Sequence, residues 1–210
     1  MHVAESAGIN FFDDPVNTFP KSRVENGLVF IPDISGFTGF VETTDINTGA
    51  QVTADLLSSI IEMNQLNLEV SEIEGDAVLF YRYGPPPPVE EIMLQAHAIV
   101  DAFKLRILKW SSVVPQVEKL SIKLIVHYGP LACISIAGTF NKLYGKTIIE
   151  AHGLLKNKVA ANRYLLLTDD FLHASRGGDN PAVFSEYEHS NMCQYYESIG
   201  KLCYTCIQMT

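Results

Sequence analysis

Basic residues are scarce in this sequence. Fifteen Lys and Arg stand against 24 Asp and Glu, a formal charge of -9 at pH 7. Binding along a nucleic-acid backbone needs clustered cations to neutralise phosphates, so the balance argues against a general nucleic-acid binder. It does not argue against a single nucleotide, for which one metal ion and one or two cations suffice. Long apolar runs are missing as well: no stretch approaches the roughly twenty residues that span a bilayer. The first residues, MHVAESAGINFFDD, lack a cationic region followed by an apolar one, so no signal peptide is read and the expected location is the cytoplasm. Cysteines are few. Cys133, Cys193, Cys203 and Cys206 are too few and too clustered for a secreted disulfide framework. Cys203 and Cys206 form a CxxC inside the strand-like run KLCYTCIQM. Residues three apart in a strand point to opposite faces, which disfavours a zinc or redox pair there. There is no internal repeat, and the only low-complexity segment is the proline run 85–88.

What is present suits a packed core, with 47% apolar and 19% charged residues. Residues 1–26 show no sustained period and read as an arm anchored by Phe11, Phe12 and Phe19; residues 27–210 read as one domain. Residues 27–32 are a short apolar strand, and 47–65 a helix with Val52, Leu56, Ile60 and Met63 on one stripe. Residues 68–73 and 77–83 read as strands of a hairpin whose tip, Glu74-Gly75-Asp76, carries carboxylates. After the prolines, 89–110 is a long helix. Strands follow over 120–128 and 131–137, around a turn at Gly129-Pro130, then a loop over 139–144 and a helix over 146–158. A strand over 164–167, a brief helix capped by Thr168-Asp169-Asp170, a polar loop over 176–181 and a hairpin over 195–209 close the chain. The order strand, helix, strand, strand, helix, strand predicts an α+β fold, the split βαβ of ferredoxin-like domains, extended by an extra strand, helix and hairpin.

The stretch that organises the chain is GLVFIPDISGFTGF, residues 27–40. It presents a carboxylate, Asp33, at the end of a buried strand, beside Gly36, where a ligand can approach backbone. Taken alone, Asp33 reads as a capping aspartate in a strand-to-helix turn. The second carboxylate tip, Asp76, shifts that reading, because strand 27–32 and the hairpin can lie side by side in a split βαβ sheet. Two converging carboxylates suit a hard dication such as Mg²⁺ or Mn²⁺, which leaves room for phosphate oxygens.

Three segments, FIPDISGF, EIEGDAVLF and LIVHYGPLACISIAG, resemble in order and spacing the catalytic domain of class III adenylate and guanylate cyclases. The likeness covers residues 27–158, continues into the C-terminal hairpin, and is closest to a bacterial cyclase-like branch. It implies that Asp33 and Asp76 hold two metal ions, Mg²⁺ or Mn²⁺, with the Ile34 carbonyl as a further ligand. It implies that amides of Gly36 and its neighbours, Phe37 included, contact the triphosphate of ATP or GTP, with Gly75, beside the second aspartate, also binding the nucleotide and Lys201 on the phosphates. It also implies a head-to-tail homodimer with two sites at the interface.

The departures bear on activity. The positions where the family places an asparagine and, four residues later, an arginine are Ile149 and Gly153. Neither donates a side-chain hydrogen bond, and losing an arginine aimed at phosphoryl charge typically costs about a thousandfold. The base-reading positions hold Glu72 and Lys142. Glu72 matches the glutamate with which guanylate cyclases read guanine, Lys142 matches neither class, and the two are placed to form a salt bridge. Glu150, His152, Lys156 and Lys158 are the neighbours that would have to substitute, although Lys and His on a helix are far more often solvent or dimer contacts. His127 reads as structural at a strand end, and His97, His173 and His189 as structural. Two functions follow as expectations: a metal-dependent nucleotide-binding cyclase homologue of weak, altered or absent activity, or a non-catalytic dimeric module for ligand sensing or protein interaction. A phosphohydrolase using the same metals would need a positioned water and base, and none is identified.

Overall fold

The computed structural model describes residues 24–175 and 184–210. The arm with Phe11, Phe12 and Phe19, and the loop 176–181, lie outside the described residues. β1 (Val24–Ser35) leads through α1 (Phe37–Thr43) and α2 (Ile46–Glu62) into the hairpin β2 (Glu69–Glu74) and β3 (Ala77–Tyr83). Then come α3 (Val89–Ser111), β4 (Ser121–Ile136), β5 (Phe140–Tyr144), α4 (Lys146–Leu154), β6 (Tyr164–Thr168), α5 (Asp169–Ala174), β7 (His189–Tyr196) and β8 (Gly200–Gln208). The strands form one sheet in the order β2-β3-β1-β4-β6-β8-β7, with β5 paired to β4. β6 lies parallel to β4 and the other pairings are antiparallel. This is the expected α+β fold.

Strand alternation divides the core. Leu28, Phe30 and Ile34 of β1 join Val52, Leu56 and Ile60 of α2 and Ile92, Ile99 and Phe103 of α3 in one layer. Val29 and Ile31 join Ala151 and Leu154 of α4 and Tyr204 of β8 on the opposite face. The whole run Leu28–Ile31 is buried because β1 is central and covered on both sides. α2 stops after Glu62, where the buried Gln95 side chain accepts from the amides of Gln65 and Leu66 and donates to the Met63 carbonyl.

Several sequence expectations change. β1 begins at Val24 and runs through Asp33, so the domain starts before residue 27. Gly129-Pro130 is not a turn, because β4 passes straight through it with Gly129 opposite Gly27 and Pro130 opposite Asn26. The glycine serves proximity instead: a Cβ on Gly129 would lie 2.6 Å from Thr147 Oγ1, and that hydroxyl donates to the Pro130 carbonyl at 2.8 Å. β4 turns at Ala137 and Gly138, both at positive φ, and the expected loop 139–144 is largely strand β5. α4 ends at Leu154, which leaves Lys156 and Lys158 beyond it. His127 lies within β4, not at a strand end. Finally, Cys203 is bonded to Cys193, which the sequence reading left unpaired, since the β7–β8 register sets the two side by side. Cys206 is a free thiol.

Candidate functional site

The rim of the sheet at β2, β3 and β1 faces α4. Asp33 has the parity of Val29 and Ile31, so its side chain lies on the α4 side, nearly buried at 8% exposure. It is flanked by Ala77 of β3 and Lys123 of β4. The Lys123 ammonium is 2.8 Å from Asp33 Oδ2 and donates to the Leu155 carbonyl at 3.1 Å, just past the end of α4. One cation thus balances a carboxylate and the negative end of a helix. Asp76 sits in the β2–β3 turn, where its carbonyl accepts from the Ile34 amide at 3.1 Å. Burial pushes the Asp76 carboxyl above the usual range, and the Asp33 charge adds to the shift. The fold has therefore brought the two aspartates within electrostatic reach.

The group that this pair implies is a divalent cation, and the donor set fits in part. Crowded like charges are the arrangement that a dication relieves. The described residues hold no cluster of three or more His, Cys, Asp or Glu. Two carboxylates therefore make an open donor set, of the kind Mg²⁺ accepts when water and phosphate complete its shell. Because Asp76 binds its proton more tightly folded than unfolded, its contribution to stability is complete below the unfolded value of 3.8 and is lost as pH rises through the folded value. Asp76→Asn is accordingly expected to raise metal-free stability at pH 7 by up to about 1 kcal/mol, read from urea denaturation.

Gly36 starts α1 with φ of 86°, and a Cβ there would lie 2.9 Å from the Lys119 carbonyl, so the close turn requires glycine. Phe37 is half-buried against the core and Gly75 forms the exposed tip. Lys201 is exposed beside the β7–β8 turn, opposite Tyr195, and no described ion pair joins it to the aspartates.

A cleft of about 660 Å³ opens between β2, α4 and the terminal hairpin, with Glu72, Lys142, Ile149, His152, Gly153 and Ile199 in its wall. Lys142 Nζ lies 3.8 Å from one Glu72 carboxylate oxygen and His152 Nε2 3.9 Å from the other. Ile149 is exposed. Gly153 is covered: a Cβ built on it would collide with Ile199 Cδ1. At the arginine position of the resembled family, the end of the Ile199 side chain lies against the glycine. Glu150 is turned away from this cleft. It is buried, 3.3 Å from His127 Nε2 and 2.7 Å from Lys146 Nζ, while His127 Nδ1 lies 2.9 Å from Thr168 Oγ1. Since Thr168 Oγ1 accepts from the Phe171 amide, its hydroxyl proton is available to His127 Nδ1, and the other nitrogen then donates to Glu150.

Sequence reasoning missed Lys123 and Ile199. A signal for Lys123 existed, because a lone lysine in the apolar run 122–126 demands a carboxylate partner. Ile199 gave none; its contact with Gly153 appears only once the hairpin is folded onto α4.

Residues 53–164, just over half of the chain, match the family model of a protein of unknown function, DUF2652. The chain belongs to the DUF2652 family. No curated protein matches it in sequence. Among solved structures, this DUF2652 chain resembles the guanylate cyclase domain of RhGC from Catenaria anguillulae, solved with GTP, at 15% identity and a TM-score of 0.60, over 89% of this chain and 98% of that one. It resembles a bacterial light-regulated adenylyl cyclase at 14% identity and a TM-score of 0.66, over 92% of this chain and 54% of that longer one. The dimeric guanylyl cyclase domain of the RhoGC fusion protein from the aquatic fungus Blastocladiella emersonii matches at 15% identity and a TM-score of 0.56, over 89% and 98%. At such identities the likeness is one of fold: this chain has the fold of adenylyl and guanylyl cyclase catalytic domains. No helix among the described residues is long and apolar enough to cross a membrane.

Proposed function

We propose that this DUF2652 protein binds a nucleoside triphosphate, ATP or GTP, with Mg²⁺ or Mn²⁺ through Asp33 and Asp76, and cyclises it weakly or not at all. The observation that carries this reading is the aspartate pair, held together at the sheet rim with Asp76 pushed toward protonation by burial and by Asp33. Two carboxylates forced together oppose stability, and a bound cation gives that arrangement a use. The metal would screen phosphate charge and polarise the α-phosphate. Around it, Gly36 would offer a backbone amide, Glu72 would meet a base edge, and Lys123 stays paired with Asp33. With Ile149 and Gly153 on α4, the chain offers neither ribose nor transition-state donor there. A head-to-tail homodimer belongs to this reading, as it does to the cyclase catalytic domains that the sequence resembles.

The test is calorimetric titration with Mn²⁺-ATP and Mn²⁺-GTP. Binding by the wild type, weakened at least about tenfold in Asp76→Asn, is expected. Unchanged binding in that variant would reject the metal site. The alternative is a non-catalytic ligand-sensing or interaction module, favoured by Ile199 over Gly153 and by the Glu72–Lys142 contact across the base position.

A further inference from the structure

The middle of the hairpin that covers Gly153 carries a disulfide open to solvent. Cys193 lies on β7, the last strand of the sheet path, which pairs with β8 alone, and its side chain is exposed. Cys193 and Cys203 line a cleft of about 360 Å³ together with Asp169, His173, His189 and Tyr204. Cys206, three residues on in β8, faces the α4-side core, buried, with its thiol pushed up to about 11 by that burial. It is neither aligned with Cys203 nor reactive enough to compete for the bond.

Only three register pairs lie beyond the disulfide: Gln194 with Leu202, Tyr195 with Lys201 and Tyr196 with Gly200. This tip reaches the α4 region through Ile199 over Gly153, through Leu202 and Tyr196 against the α4-side core, and through the Lys158 amide, which donates to Gln194 Oε1 at 3.0 Å. Three register pairs are marginal by themselves, so the covalent link works together with these packing contacts in holding the tip in place.

We propose that Cys193–Cys203 is a thiol–disulfide exchange site for a low-molecular-weight thiol, and that its reduction releases the hairpin tip from Gly153 and opens the cleft beside α4. A thiolate attacks Sγ of Cys193, the exposed sulfur, forming a mixed disulfide. The Cys193–Cys203 bond breaks and Cys203 leaves as a thiolate, which takes a proton from water. A second thiolate attacks the small-molecule sulfur of the mixed disulfide, releasing the Cys193 thiolate and the oxidised small disulfide. Two thiols are oxidised and one protein disulfide is reduced.

The test uses the folded protein before and after incubation with reduced glutathione. Free thiols are alkylated under native conditions and mapped by mass spectrometry, and amide hydrogen exchange is followed in parallel. Neither readout depends on nucleotide binding, so the outcome is separate from that of the functional reading. Before the thiol, Cys193 and Cys203 are expected to resist alkylation; afterwards both are labelled. Amide exchange over residues 194–201 is then expected to quicken about tenfold or more, with a smaller rise over 153–158 and none over 164–168. C193S/C203S should show the fast pattern without any thiol, and if it fails to fold the wild-type comparison decides alone. Alkylation of both cysteines before reduction, a bond that yields only to denaturant, or an unchanged exchange rate at the tip after reduction would each overturn the proposal.

Discussion

His127→Ala is expected to lower the free energy of unfolding by about 3 kcal/mol, read from urea denaturation at pH 7. His127 is 1% exposed in the middle of β4 and joins three elements at once. Its Nε2 meets Glu150 of α4, and its Nδ1 meets Thr168, which caps α5. Removing the imidazole leaves a cavity, strips Glu150 of its buried hydrogen-bond partner and leaves it with Lys146, which is largely in water. The pH dependence follows from the same network. The hydrogen bond from His127, with help from Lys146, holds the Glu150 carboxyl below its usual value of 4.5, against the opposing effect of burial. A lowered folded pKa stabilises above the unfolded value, and the contribution is lost as pH falls from 4.5 through the folded value. Glu150→Gln should therefore flatten the acid limb of the stability curve while changing the neutral region less than His127→Ala does. A His127→Ala variant within 0.5 kcal/mol of wild type, to order of magnitude, would show that the network carries little of the fold's stability.

The second large effect concerns chemistry and rests on the proposed nucleotide site. Gly153→Arg alone is expected to yield no gain in cyclic product from Mn²⁺-ATP or Mn²⁺-GTP and to destabilise by up to about 1 kcal/mol, because the end of the Ile199 side chain must move aside. Combining it with Ile199→Ala and Ile149→Asn makes room and restores both missing donor types. Cyclic-nucleotide turnover in the triple variant should rise by at least about a hundredfold over wild type, below the full contribution of an optimally placed arginine. Equal turnover in the two proteins, with metal–nucleotide binding intact, would mean that the block lies elsewhere than on α4.

Much of this was written in residue order. The strand and hairpin that deliver Asp33 and Asp76 could be read from Leu28–Ile31 and from the Glu74-Gly75-Asp76 tip, because alternation and turn glycines are local signals. Glu72 and Lys142 do come into contact. The errors arose where a local signal met a distant constraint. Gly129-Pro130 spells a turn, yet β1 supplies a ladder along the whole segment and Thr147 needs the missing Cβ. The bond between Cys193 and Cys203 depends on hairpin register, and the cover over Gly153 depends on how that hairpin docks. Neither leaves a trace in spacing.

The central ladder also sets a schedule for folding. β1 pairs with β4 from Val24–Ala132 to Ser35–Ser121, so its partner lies about a hundred residues away and closing that separation is slow. During synthesis the run Leu28–Ile31 leaves the ribosome well before Ile122–Val126 exists to cover it. β3 can pair with one edge of β1 in the interval, while the other remains open. That open edge, apolar on both faces, is where an unfinished chain is most exposed to pairing with a copy of itself.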